Sequence, residues 1–145
     1  NRDFAKEQLE GTPDERRRKR VKRTVERLED WVGDLSSVQI ERVRLYSARA
    51  PLIAEFRDRE RRQLQRGLVA MLRSREAGTR LADFAAHWER NRTPEFDRMN
   101  RAHTEEVFSL IIDLDRTLTH AQREKAAHRM RTLAADFAEL ARNTQ

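Results

Sequence analysis

Apolar side chains recur every three or four residues along most of the chain, which is the period of one face of an α-helix. Val21, Val25, Leu28, Val32 and Leu35 form the first such row, and it should stop near Gly33. Ile40, Val43, Tyr46, Ala50 and Ile53 begin a second row that Leu64, Leu68 and Leu72 continue. Pro51 lies inside it and must kink the helix or start a new segment, because it lacks a backbone donor and clashes with the preceding turn. Gly78 closes that stretch, and a short helix with Leu81, Phe84 and Trp88 on one side follows. Thr93-Pro94 reads as an N-cap and first helical residue, opening a helix with Phe96, Met99, Val107, Leu110, Ile111 and Leu114. The last row is Ala126, Met130, Leu133, Phe137 and Leu140.

Composition agrees with this pattern. Only 11 of the 145 residues are Val or Ile, with four Gly and three Pro, too few β-branched and turn residues for a sandwich or barrel. Ala, Glu, Lys, Leu and Arg supply just over half of the chain, as in long amphipathic helices. The expected fold is all-α, with four or five long amphipathic helices. Residues 1–13 are expected to be a flexible N-terminal segment and residues 14–145 a single helical domain. With 37% hydrophobic and 39% charged residues, the chain can bury only a thin core, which argues against a large α/β enzyme. It has no cysteine, so disulfides, zinc fingers and thiol chemistry are absent. Apolar runs such as Leu110-Ile111-Ile112 fall far short of the ~20 residues that cross a bilayer.

One segment occurs twice. Leu35-Ser36-Ser37-Val38-Gln39 aligns with Leu118-Thr119-His120-Ala121-Gln122 at an offset of 83, with Trp31 matching Leu114 and Leu28 matching Ile111 upstream. Each copy has the form of a capping box. The Ser36 or Thr119 hydroxyl accepts the N–H of the third helical residue, and Gln39 or Gln122 reaches back to the N–H of the cap residue. Leu35 and Leu118 are placed for a hydrophobic staple, but only the first copy has an apolar partner, Ile40; the second has Arg123.

Two such boxes, each between helices of a cysteine-free, Arg-rich chain, resemble the Leu-Thr-x-x-Gln motif of the periplasmic Spy/CpxP family. Trp31 before the first box and a closing helical hairpin are similar to a group of uncharacterised proteobacterial lipoproteins. The resemblance covers residues 16–142 in layout and Leu35, Ser36, Gln39, Leu118, Thr119 and Gln122 in motif, with Ser36 where the motif has Thr. It implies a periplasmic, stress-related helical protein with its helices in a hairpin or cradle-like arrangement, in some members an ATP-independent chaperone working as an antiparallel dimer. Its partners would be unfolded or acidic protein clients or envelope proteins, and a lipid-bearing Cys upstream of Asn1 would provide the membrane link.

The net charge of +6 is unevenly spread, with 20 basic and 13 acidic residues in 1–75 against 11 and 12 in 76–145. The densest run is Arg16 to Arg23, suited to anionic partners. It equally suits a solvated helix face on which Glu15, Glu26, Asp58 and Glu60 pair with neighbouring cations. Arg42 and Arg49, and then Arg59, Arg66 and Arg73, recur every seven residues and return nearly to one helix face. This is the candidate client-binding stripe, with a solvent-facing row as its competitor. A nucleic-acid-binding protein using residues 16–23 and a structural envelope lipoprotein are the alternative functions. No recognition motif accompanies the basic run.

No Gly-rich phosphate loop, Ser-His-Asp set or acid pair in a cleft is present, so no catalysis and no cofactor are expected. His120, Glu124 and His128 align along the last helix, but a surface line of three is a poor metal site, and none is expected. His87 and His103 have no evident partners, Asp113 and Asp115 cannot share a face, and Glu105-Glu106 reads as a solvated edge. Trp31, Tyr46, Phe56 and Trp88 are expected to anchor the core.

Overall fold

The computed structural model describes residues 9–74, 77–87 and 92–143. Among these all regular secondary structure is helical: α1 (Pro13–Val32), α2 (Ser37–Arg49), α3 (Ala54–Arg73), α4 (Ala77–Ala86), α5 (Pro94–Asp115) and α6 (His120–Asn143). Six helices replace the expected four or five because Pro51 ends one helix and lets another begin at Ala54, instead of kinking a continuous rod. Residues 1–8 of the expected N-terminal segment, and Trp88, lie outside the described residues.

The helix boundaries follow local chemistry. At α1, the Thr12 N–H donates to Glu15 Oε2 at 2.7 Å and the Glu15 N–H donates to Thr12 Oγ1 at 3.3 Å, with Pro13 as first helical residue. Gly33 ends α1 with φ +86°, the left-handed conformation that a helix stop of this kind needs. Thr93 caps α5 as the sequence suggests, accepting the Phe96 N–H at 3.2 Å.

The chain divides into two compact units, one of residues 1–16 and 50–106, the other of residues 17–49 and 107–145. The first unit buries Ala50, Ile53 and Met71 together with Asp58 and Glu60. Glu60 Oε1 takes hydrogen bonds from the Thr93 N–H (3.2 Å) and Thr93 Oγ1 (2.5 Å), so the α5 cap is tied to α3. Gly67 lies beside Phe84 of α4, where a methyl group would come within 3.6 Å of the ring. The second unit buries Val43, Tyr46, Leu110 and Leu114, and with them the polar Gln39, Ser47 and Gln122. Both cores are thin, as the composition requires.

Candidate functional site

The two boxes meet in the second unit. Each closes as a capping box: the Gln39 N–H reaches Ser36 Oγ at 3.3 Å and the Ser36 N–H reaches Gln39 Oε1 at 2.9 Å. The corresponding distances for Gln122 and Thr119 are 3.2 and 3.1 Å. The two glutamine side chains then cross. Gln39 Nε2 donates to Gln122 Oε1 at 2.9 Å, and Gln122 Nε2 donates to Gln39 Oε1 at 3.1 Å. The remaining amide protons reach over to the opposite strand of the junction, Gln39 to the Thr117 carbonyl (3.1 Å) and Gln122 to the Asp34 carbonyl (2.8 Å). Thr117 and Asp34 each stand two residues before a cap, so the arrangement has local two-fold symmetry. An amide has two donors and two acceptor positions, and all four are used on each side. That satisfaction is what permits two polar side chains to be buried.

The flanks of the junction are less symmetric. Arg123, which stands where the first copy has Ile40, donates to the Asp115 carboxylate at 2.5 Å and also to the Asp115 carbonyl, replacing an apolar staple by an ionic one. No basic residue occupies the last turn of α1. Cations from α6 fill that role: Lys125 Nζ reaches the Glu29 carbonyl at 3.4 Å and Arg129 reaches the Asp30 carbonyl at 2.6 Å, with its guanidinium 5.0 Å from the centre of the Trp31 ring. Positive groups at a helix C-terminus satisfy exposed carbonyls and oppose the dipole.

The basic run at residues 16–23 is largely committed to structure. Arg16 pairs with Glu55 at 2.5 Å within the first unit. Arg20 lies in the second unit and binds the Ser47 hydroxyl (3.2 Å) and carbonyl (2.7 Å), stacked 5.6 Å from the Tyr46 ring centre. Burial lowers its pKa from the usual arginine value, opposed by Tyr46. The Ser47 hydroxyl in turn donates to the Arg17 carbonyl at 2.9 Å, so these contacts lock α1 against α2. Lys22 faces Glu26 at 3.9 Å in an ordinary i,i+4 pair.

The five candidate stripe arginines are all exposed but fall into two sets. Arg59, Arg66 and Arg73 are on α3 in the first unit, where Arg59 meets Glu95 at 3.1 Å and stacks 5.5 Å from the Phe56 ring centre. Arg42 and Arg49 are on α2 in the second unit, and there they acquire apolar company. Val38, Arg42, Leu45 and Arg49 step by four, three and four along one face, with Val38 56% and Leu45 43% exposed. The adjacent row Gln39, Val43, Tyr46 and Ala50 is buried. Sequence reading picked out the arginines and, in Val43, Tyr46, Ala50 and Ile53, the row that is buried, but it missed Val38 and Leu45, which lie outside that row.

Charge divides between the units as well. The first unit carries 15 basic and 15 acidic residues and the second 16 and 10, so the whole net charge of +6 belongs to the second. The second unit also exposes Phe108, Ile111 and Ile112 on α5 and Met130, Leu133, Phe137 and Leu140 on α6.

The other candidates are ordinary. His120 Nε2 lies 3.3 Å from Glu124, His87 Nδ1 lies 2.8 Å from Asp83, and no group of three metal-ligating side chains occurs among the described residues. Tyr46 is buried, while Trp31 and Phe56 are half-buried beside arginines. An open groove of about 560 Å³ along the start of α5 is lined by Arg92, Asp97, Arg98, Arg101 and Glu105, a mixture of both charges on one helix.

No curated protein and no solved structure matches the chain. Residues 1–97 match the model of DUF6279, a family of unknown function; the match includes the first box and stops short of the second. The chain belongs to that family.

Proposed function

We propose that this chain is a non-enzymatic, periplasmic helical binding protein of the Spy/CpxP kind, a chaperone or envelope-stress adaptor that holds protein clients on a basic surface. The reading includes the hairpin or cradle-like arrangement expected from the motif resemblance. The observation that carries it is the exposed row Val38, Arg42, Leu45 and Arg49 on α2, within a unit that holds the whole net positive charge. Alternating apolar and cationic side chains suit a partly unfolded segment in which Leu or Phe alternates with Asp or Glu. The apolar contacts give affinity and the field speeds encounter. The crossed boxes supply a fixed base for that row, since Gln39 lies one residue from Val38.

Suppression of aggregation tests the proposal. A chemically denatured acidic client is diluted into buffer without ATP, with and without equimolar protein, and light scattering is followed. Scattering should fall at low salt and recover as salt screens the attraction. Unchanged scattering at low salt would overturn the chaperone reading. Nucleic-acid binding through residues 16–23 has less support, because Arg16 and Arg20 are already engaged within the fold.

A further inference from the structure

The far half of α6 is an amphipathic helix without cover. Every residue from Ala127 to Arg142 is exposed, with Met130 at 61%, Phe137 at 68% and Leu140 at 62%. Large apolar side chains grouped in this way mark a contact surface. Which surface covers them follows from the width of the face and the charge at its edges.

At about 100° per residue, Leu140, Leu133, Phe137 and Met130 fill one sector of the helix. Ala141, Ala134 and Ala138 continue it to an arc of about 160° that holds no polar residue from Ala127 onward. The seam between two packed helices is a narrow a/d stripe, whereas a smooth arc of this width suits a plane.

The charges are ordered around the arc. Arg131 and Arg142, both exposed, follow Ala138 at one edge. Arg129 borders the other edge next to Leu140, where it holds the Asp30 carbonyl at 2.6 Å, and Asp136 lies just beyond it. Glu139 stands opposite the centre of the arc. Arginines so placed lay their aliphatic stems along an apolar layer and keep their guanidinium groups at its polar boundary, while Glu139 faces water. α6 carries five basic and three acidic residues and belongs to the unit that holds the whole net charge of +6.

We infer that this face of α6 lies on an anionic phospholipid surface. Met130, Leu133, Phe137 and Leu140 enter the boundary between headgroups and acyl chains, and Arg131 and Arg142 meet the headgroup phosphates. No helix among the described residues is long and apolar enough to cross a membrane, and α6 accordingly lies in the plane of the interface. The contact is made by the chain's own side chains and does not use the α2 row proposed for clients.

Co-sedimentation of the whole chain with lipid vesicles tests this. Vesicles of phosphatidylcholine are compared with vesicles in which about one third of the lipid is phosphatidylglycerol. At low salt the chain should bind the anionic vesicles at least about tenfold more strongly, and the difference should shrink as salt rises. Phe137→Glu should weaken binding about tenfold or more, and joint Arg131→Glu and Arg142→Glu should remove most of the preference for anionic lipid. Both variants should keep the parent's far-ultraviolet dichroism spectrum without lipid, because the altered side chains are exposed. Phe137→Trp should keep binding, with tryptophan emission that shifts further to the blue on anionic vesicles than that of the parent. No binding to either vesicle overturns the inference, as does equal binding to both or binding that Phe137→Glu leaves unchanged. Self-association that Phe137→Glu abolishes, with no vesicle binding, would assign the face to a protein and overturn it as well. No client is present here and no lipid in the aggregation test, so each can fail alone.

Discussion

Gln39 and Gln122 exchange amide hydrogen bonds across 83 residues of sequence, at 2.9 Å one way and 3.1 Å the other, and both are buried. Truncating either strands the other's donor and acceptor together with a cap N–H and a carbonyl. Gln39→Ala and Gln122→Ala should each cost about 1–3 kcal/mol or more, since each leaves several buried groups unsatisfied. The double variant should cost less than the sum, with a coupling of about 0.5–3 kcal/mol. Urea unfolding of the four proteins measures this, and simple additivity would show that the two boxes act independently.

The cap hydroxyls contribute separately from the crossing. Ser36→Ala and Thr119→Ala should each lose about 0.5–2 kcal/mol, whereas Ser36→Thr, which restores the residue type of the second box, should be close to neutral. Thermal melts of the three variants provide the comparison.

Two glycines should respond with opposite sign. Gly33 has φ +86°, a conformation that a residue with a Cβ adopts only at a cost, so Gly33→Ala should destabilise by about 1–2 kcal/mol. Gly78 lies in the first turns of α4 with open space around it, and Gly78→Ala should stabilise by about 0.4–1 kcal/mol. Chemical denaturation midpoints decide both signs.

Much of this was legible before the fold, and what was not has a physical explanation. Capping boxes, the Gly33 stop and the Thr93 cap are governed by residues within four positions of one another, so local chemistry exposes them. The crossing of Gln39 with Gln122 is a tertiary event; the equal offset shows that the boxes are alike but not that they touch. The arginines spaced by seven form two sets, Arg42 with Arg49 and Arg59 with Arg66 and Arg73, parted by ten residues and by Pro51, and spacing alone did not show that the sets lie in different units. Met130, Leu133, Phe137 and Leu140 show the same limit, since a period of three and four marks a face as apolar without saying what covers it.

Acid should release a clamp on α3. Hydrogen bonds from Arg62 (2.6 Å) and Arg61 hold the Asp58 carboxyl below its usual pKa. A carboxyl with a lower pKa in the folded state contributes stability that is complete above its unfolded value and disappears as pH falls through the folded one. Asp58→Asn should therefore melt at a lower temperature than the parent near pH 7, and the difference should shrink as pH falls below the usual carboxyl value of about 4. Melting temperatures that differ equally at both pH values would mean that the charge of Asp58 does not stabilise α3.

Exposed and buried apolar residues of the second unit should separate sharply when truncated. Leu110 is 6% exposed on α5 and Phe137 is 68% exposed on α6, although both belong to rows of the same period. Leu110→Ala removes buried methyl groups from a thin core with few neighbours to collapse inward, and should cost about 2–5 kcal/mol. Phe137→Ala should stay within about 0.5 kcal/mol of the parent despite the larger side chain lost. A loss above about 2 kcal/mol would show that Phe137 packs within its own chain as part of the core.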